Sequence, residues 1–301
     1  MTNRLAAVFG GAGFIGRYVV QRLAQDGWRV RVVGRHREEG AFLRPRGDVG
    51  QVVLAYADIT RDYAVQAAVA RADLVVNLVG VLNQRGRDRF STINVKGAGQ
   101  LAEAAQAAGV AQFVHVSALG ADHHSPSLYG QSKAEGEDLV RKAFPRAAIL
   151  RPSVVFGPED HVFNRIAALA GWTPVMPVVA ANTRLQPVYV GDVAAAVVAA
   201  ATAAHEGTIF ELGGPKIYTM RQIVELALAA AGRRRLLLPL PTAVAAIKAA
   251  VLQFLPDPLL TPDQLKMLSV DNVVGGALPG FARLGIDPQP AEAIVPTYLA
   301  V

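Results

Sequence analysis

A doubly wound parallel α/β sheet with a small C-terminal lobe is predicted by three observations. Short runs of aliphatic and β-branched residues alternate with stretches of helical periodicity through the first 150 or so residues. The runs are apolar almost throughout, as strands are when helices cover both faces of a sheet. The first run ends in Gly10-Gly-Ala-Gly13-Phe-Ile-Gly16, which opens directly into an apolar helical pattern.

The elements follow in order. Leu5–Phe9 predicts the first strand and Phe14–Gln25 the first helix. Val30–Val33, Gln51–Tyr56, Leu74–Leu78, Phe113–Val116 and Ala147–Leu150 predict the second to sixth strands. Asp62–Ala70, Ser91–Ala108 and Leu128–Ala143 predict helices between them, the pattern of βαβ crossovers. After Pro152 glycine and proline become frequent. A strand-like run at Gln186–Val190 and an Ala/Val helix at Asp192–Ala201 are expected to rejoin the main sheet. The division expected is a dinucleotide-binding domain over 1–155, rejoined by about 185–205, and a small lobe over 206–301.

Composition narrows the function classes. The chain has 301 residues, 52% of them hydrophobic and 18% charged, which excludes disorder and calls for a large core. It has no cysteine, which excludes disulfides, thiolate metal sites and a thiol nucleophile. Thirty basic residues against 24 acidic ones give a net charge of +6, which favours anionic partners such as nucleotide phosphates. The basic residues are scattered apart from Arg31 to Arg46 and Arg233-Arg234-Arg235, which argues against nucleic acid. His123-His124 has no partner at metal spacing, so no metal is expected. Met1 to Arg4 are too few for a targeting segment to be expected, and Leu236–Leu255, the nearest approach to a membrane-spanning run, is broken by Pro239, Pro241 and Lys248.

Gly10-x-x-Gly13-x-x-Gly16 between a strand and a helix is the phosphate-binding turn of the dinucleotide (Rossmann) arrangement. One glycine makes the tight turn, one admits a pyrophosphate to the backbone, and one lets helix and strand pack closely. Free N–H groups at the helix start then face the phosphates. An acidic residue usually closes the second strand when the ribose hydroxyl of NAD is held. Here that place reads Gly34-Arg35-His36-Arg37, with Glu38-Glu39 following. Two arginines suit a 2′-phosphate, so NADP(H) is expected over NAD(H). Asp58, after the third strand, either accepts from the adenine amino group or caps a helix together with Thr60.

Ser117 ends the fifth strand, and Tyr129 and Lys133 stand at i and i+4 on the helix that follows. A lysine ammonium beside a tyrosine favours the phenolate and lowers a hydroxyl pKa that is otherwise about 10. Ser117 would then hold a substrate oxygen while Tyr129 moves its proton. Gly80 ends the fourth strand, either to admit the cofactor or as a plain turn. Asn94 either supports the active-site helix or simply sits on it, and His115 is expected to be a core residue. Ser153 either lines the substrate side or bonds local backbone.

Taken together, the glycine turn, Ser117, Tyr129, Lys133 and Val188-Tyr-Val-Gly-Asp192 resemble the extended type of the short-chain dehydrogenase/reductase superfamily. Gly16–Val20, Leu43–Gln51, Phe113–Ser117, Ala143–Pro145, Pro152–Asp160 and Gln186–Val190 resemble one branch of it. That branch contains the dehydrogenase-like accessory subunit of respiratory complex I and its bacterial relatives. The resemblance implies a catalytic set of Ser117, Tyr129 and Lys133. It implies a cofactor set of Gly10, Gly13, Phe14, Ile15, Gly16, Arg35, Arg37, Asp58, Ile59, Val79, Gly80, Tyr129, Lys133, Pro152 and Ser153. It further implies NADPH held as a structural element of the quinone-linked respiratory chain, with an active NADPH-dependent reductase as the alternative and a nucleotide-sugar epimerase or dehydratase as the third reading. The segment 233–255, basic and then apolar, is the candidate surface for respiratory partner subunits or an anionic membrane. A bacterial cytoplasmic location, peripheral on the inner face of the respiratory membrane, is expected.

Overall fold

In the computed structural model, residues 4–36, 38–240 and 260–299 are described. Strands β1 (Leu5–Phe9), β2 (Arg29–Gly34), β3 (Val52–Tyr56), β4 (Leu74–Asn77), β5 (Gln112–Val116) and β6 (Ala148–Pro152) form at the places the apolar runs mark. With a later strand, β11 (Ile209–Leu212), they make one seven-stranded sheet in the order β11-β6-β5-β4-β1-β2-β3, every pair parallel. The chain starts near the middle of the sheet and winds outward in both directions, so the C-terminal ends of β1 and β4 meet where the winding reverses. Ligands bind such sheets at that crevice.

Successive residues of β1 feed two cores. Ala6 and Val8 pack with Val19, Val20 and Leu23 of α1 (Phe14–Gln25) and with Val193 and Val197 of α6 (Val190–Ala200). Ala7 and Phe9 pack on the other face with α2 (Asp62–Val69), α3 (Ala98–Ala107) and Val140 of α4 (Leu128–Ala143). The predicted helix over Ser91–Ala108 opens as a π-helical turn, Ser91–Gly97, before the α3 segment proper.

The later chain corrects one expectation. Gln186–Val190 does not enter the main sheet. Only Val188–Tyr189 (β10) is extended there, and it pairs with β7 (Val155–Phe156). A parallel strand needs a crossover before it. α6 is that crossover, so the strand after it, β11, takes the open edge beside β6. The main sheet therefore runs beyond residue 206.

The smaller body is built from α5 (Val162–Trp172), β8 (Val175–Val179), β9 (Arg184–Leu185), β12 (Tyr218–Thr219), α7 (Met220–Ala230) and β13 (Leu236–Leu240). Phe156, Phe163, Tyr218 and Ile223 pack there with Ala291, Val295 and Leu299 of the two closing helical turns. Leu236–Leu240, within the candidate docking stretch, pairs in parallel with β8. The rest of that stretch, 241–255, lies outside the described residues, as does Arg37. A short helix, α8 (Pro262–Met267), then returns to the main domain. Among the described residues, no helix is long and apolar enough to cross a membrane.

Candidate functional site

The glycine turn is shaped as its spacing requires. Gly10 has φ +76°, a left-handed conformation that favours glycine, and a β-carbon there would press 3.1 Å from the Leu78 carbonyl carbon. Gly13 is the N-terminal cap residue of α1, and no side chain supplies a cap hydrogen bond. A helix start of this kind leaves N–H donors for an anion. Gly16 lies against the backbone of Gly10 and Gly11 and seats the helix on the strand.

A cleft of about 420 Å³ opens beside this turn. Of the predicted residues, Gly10, Gly13, Arg35, Ile59, Val79 and Gly80 line it. Phe14 meets Tyr18 edge-on, and Ile15 packs against the core behind the turn. Asp58 closes a local turn, its Oδ1 accepting from the Thr60 amide (3.0 Å) and hydroxyl (2.7 Å). The helix begins only at Asp62 with Arg61 as its cap residue, so of the two readings open for Asp58, capping together with Thr60 is not found. Pro152 ends β6, its carbonyl accepting from Leu119 N, and the Ser153 hydroxyl donates to Asn272 Oδ1 at 2.6 Å. Sequence reasoning missed His36 and Glu39, which also line the cleft. The acidic pair was visible, but not that a 3₁₀ segment, Glu38–Arg46, sets the exposed Glu39 on the cleft rim.

Arg35 donates through both terminal nitrogens to Asp88, at 2.5 and 3.0 Å. This contact holds its charge firmly, with Asp58 and Glu39 adding to the effect.

The floor behind the cleft is a buried polar network. Asn77 Oδ1 accepts from Val79 N, so its amide nitrogen donates to His115 Nδ1 at 3.1 Å. That leaves the His115 proton on Nε2, where it has no partner among the described residues; burial, then the Lys133 charge, hold the imidazole neutral. Asn94 Oδ1 accepts from Val81 N, and its amide donates to Val81 O and to Ser132 Oγ. Asn94 thus ties the strand-end loop to α4, which is the supporting role of the two readings open for it.

Ser117 lies directly after β5, and its buried Oγ has no hydrogen-bond partner among the described residues. Lys133 Nζ donates to Val116 O at 3.0 Å and would stand 3.8 Å from a methyl placed on Gly80, which joins triad and cleft. Burial lowers its pKa to about 8, opposed by the Glu137 carboxylate. Tyr129 is half-buried, with Phe90 edge-on to its ring at 6.0 Å. Its hydroxyl does not show the expected lowering: burial pushes it up to about 12. Sharing a helix face does not bring the ammonium to the phenol, because Lys133 turns to the strand end instead.

The N-terminus of α4 carries a feature that no local pattern announces. Asp263 of α8 accepts from Leu128 N (2.7 Å) and Tyr129 N (3.1 Å), while Gln264 donates to Asn83 beyond β4. Asp263→Ala should cost about 1 kcal/mol, the usual range for a lost helix cap. Amide hydrogen exchange at Leu128 and Tyr129 should rise with it, and unchanged exchange there would refute the cap.

The donor set fits a dinucleotide: a glycine cradle at a helix start, a cleft of suitable size, and a buried serine hydroxyl lacking a partner among the described residues. Gly10, Gly13, Gly80 and Arg35 line the cleft, and Lys133 Nζ would stand 3.8 Å from a β-carbon on Gly80.

Comparison with known proteins agrees. The profile of the NAD dependent epimerase/dehydratase family matches residues 6–213. The mitochondrial NADH dehydrogenase [ubiquinone] 1 alpha subcomplex subunit 9 of Arabidopsis thaliana is 35% identical over 299 residues, covering 95% of this chain and 74% of that one. A ceramide reductase of Caulobacter vibrioides is 38% identical over 195 residues, 65% of this chain and 60% of its own. The fold matches an Escherichia coli NADPH-dependent quinone oxidoreductase complexed with NADPH (TM-score 0.76, 21% identity, 97% of this chain and 98% of that one). The chain belongs to the NAD dependent epimerase/dehydratase family, has its NAD(P)-binding fold, and is homologous to the complex I subunit 9 proteins.

Proposed function

We propose that this protein holds NADPH as an accessory or assembly subunit of a quinone-linked respiratory complex of the complex I type, peripheral on the inner face of a bacterial respiratory membrane. The observation that carries this reading is the end-to-end likeness to the subunit 9 proteins. It spans 95% of the chain, including the C-terminal body, and not the dinucleotide half alone. The site geometry supports it. A tyrosine held near 12 is a poor proton acceptor at neutral pH but a sound hydrogen-bond partner for a bound ribose. Arg35 on the cleft wall supports the phosphorylated dinucleotide. The test is purification from the native membrane with extraction and identification of the bound nucleotide. NADPH that co-purifies with respiratory subunits and is not consumed is expected; a nucleotide-free protein without those partners would overturn the reading.

The likeness to a ceramide reductase favours a second reading, an NADPH-dependent reductase. The nicotinamide would supply hydride; Ser117 Oγ would hold the substrate oxygen and the Tyr129 hydroxyl would pass its proton. On this reading Tyr129→Phe abolishes turnover, by about 100-fold or more, and leaves NADPH affinity within a few-fold. On the holding reading no turnover exists to lose. Steady-state NADPH oxidation with long-chain carbonyl substrates separates the two.

The buried lysine gives a pH signature. Lys133 titrates near 8 in the folded chain, below the ordinary 10.5, so the unfolded chain binds more protons between those values. Stability therefore rises with pH from 8 upward, by about 1.4 kcal/mol per unit within the window. Above about 10 the raised Tyr129 pKa acts in the opposite sense, because the unfolded tyrosine ionises first. Urea unfolding at pH 8 and 9.5 should show the rise in the parent chain and its loss in Lys133→Met.

A further inference from the structure

We propose that Asp88 is a specificity-determining residue of the nucleotide cleft: its carboxylate occupies the Arg35 guanidinium and is displaced by a phosphorylated adenosine ribose but not by an unphosphorylated one. This rests on the reading of the cleft as a dinucleotide site and adds a residue that no motif places there.

Four observations carry it. Arg35 stands at the end of β2 on the cleft wall, where folds of this kind receive the adenosine ribose. Both of its terminal nitrogens are engaged by the two oxygens of Asp88, at 2.5 and 3.0 Å, the same fork that arginine presents to a phosphate. Asp88 arrives on a tight turn. Arg85 N donates to Asp88 O and Asp88 N to Arg85 O, each at 2.9 Å, with Gly86 left-handed at φ +56° between them. The carboxylate is therefore presented by a small closed hairpin and not by a trailing loop. Finally, the pair is partly solvated, with 48% and 30% of the two side chains exposed. Ion pairs so exposed hold weakly, so another anion can take the place of the carboxylate.

The consequence is an exchange of anions. A ribose 2′-phosphate carries up to two charges and three acceptor oxygens, and it can replace one carboxylate on the same fork. A neutral ribose hydroxyl cannot. Asp88 thus keeps Arg35 aimed and paired; its displacement costs the phosphorylated dinucleotide part of the affinity that Arg35 supplies, while an unphosphorylated one leaves the pair in place. Glu39 lines the same cleft and acts on Arg35 through charge, without a hydrogen bond to it. It serves as the control for a plain field effect.

The experiment is calorimetric titration of the full chain, its Asp88→Asn and its Glu39→Gln variants with NADPH, NADH and 2′,5′-ADP at low and physiological salt. Asp88→Asn should tighten NADPH and 2′,5′-ADP by about three- to fivefold, the upper scale of a weak exposed ion pair. NADH should stay within twofold, and Glu39→Gln should have the smaller effect on the phosphorylated ligands. Equal gains in the two variants, a parallel change in NADH, or weaker NADPH binding in Asp88→Asn would overturn the proposal. If the parent chain binds NADPH and NADH alike, the preference given under Proposed function fails, while the Asp88→Asn comparison still decides the role of Asp88. If none of the three ligands binds the parent chain, both fall.

Discussion

Gly16→Ala should cost about 3 kcal/mol of stability, the upper part of the overpacking range, and weaken dinucleotide binding by more than about tenfold. The added methyl would collide with the Gly10 carbonyl oxygen and stand 2.6 Å from Gly11 Cα and 2.7 Å from the Gly11 carbonyl carbon. All three atoms are backbone of the turn that forms the cradle, so relief requires lifting α1 from β1 or opening the turn. Either movement shifts Gly10 and Gly13 together. Gly80→Ala is the matched control. Among the described residues its methyl meets only Asn94 Oδ1 at 3.5 Å and Lys133 Nζ at 3.8 Å, so the fold should tolerate it while the cleft narrows. Chemical denaturation and nucleotide titration of the two variants should therefore separate: stability and binding both lost in the first, binding alone reduced in the second. A Gly16→Ala protein within 0.5 kcal/mol of the parent, the usual range for neutral surface changes, would show that the close approach is not needed.

Arg151→Met should be comparably severe for a different reason. Glu137 is only 3% exposed and lies two turns beyond Tyr129 and one beyond Lys133 on α4. Arg151 Nε donates to both of its carboxylate oxygens (2.9 and 3.2 Å), and a terminal nitrogen donates to Oε2 at 2.6 Å. Removing the arginine strands a carboxylate in the interior, a loss of about 3–5 kcal/mol. Removing both charges with Glu137→Gln and Arg151→Met should recover most of it, since the pair itself contributes little net energy once its desolvation is counted. A double-mutant cycle by urea denaturation gives the coupling directly. Additive losses would mean that the two side chains do not act as a pair.

The fold was largely legible because the strongest signals were local. Phe14–Gln25 and Leu128–Ala143 are helices over the very residues that periodicity marked, one opened by a glycine and the other by Ser127, whose side chain accepts from Gly130 N. The seventh strand was not legible in the same way. Ile209–Leu212 is four residues long, and its partner, Ala148–Pro152, lies some sixty residues earlier. Nothing in so short a run distinguishes a main-sheet edge from a strand of a separate lobe.

The site divides along the same line. Gly10, Gly13, Gly80 and Arg35 follow from motif spacing around strand ends and are found together. Asp88 reaches Arg35 across 53 positions, and Asp263 reaches Tyr129 across 134. Pairings at that distance are made by the assembled fold and leave no trace in local pattern. The Tyr129–Lys133 spacing correctly named a shared helix face. It could not say that the lysine would spend its proton on the Val116 carbonyl.

One of those distant pairings ties two regions that a partner and a nucleotide would occupy separately. The residues joining β13 to α8 include the end of the 233–255 stretch that the sequence offers as a candidate docking surface, and α8 holds the first turn of α4 through Asp263 and the segment after β4 through Gln264. Thermodynamic linkage makes such a tie reciprocal. A protein or lipid surface that pulls α8 away from α4 would loosen the dinucleotide by the same factor by which the dinucleotide opposes docking. One that presses α8 home would tighten both. Nucleotide retention would then report assembly state, without any chemical turnover.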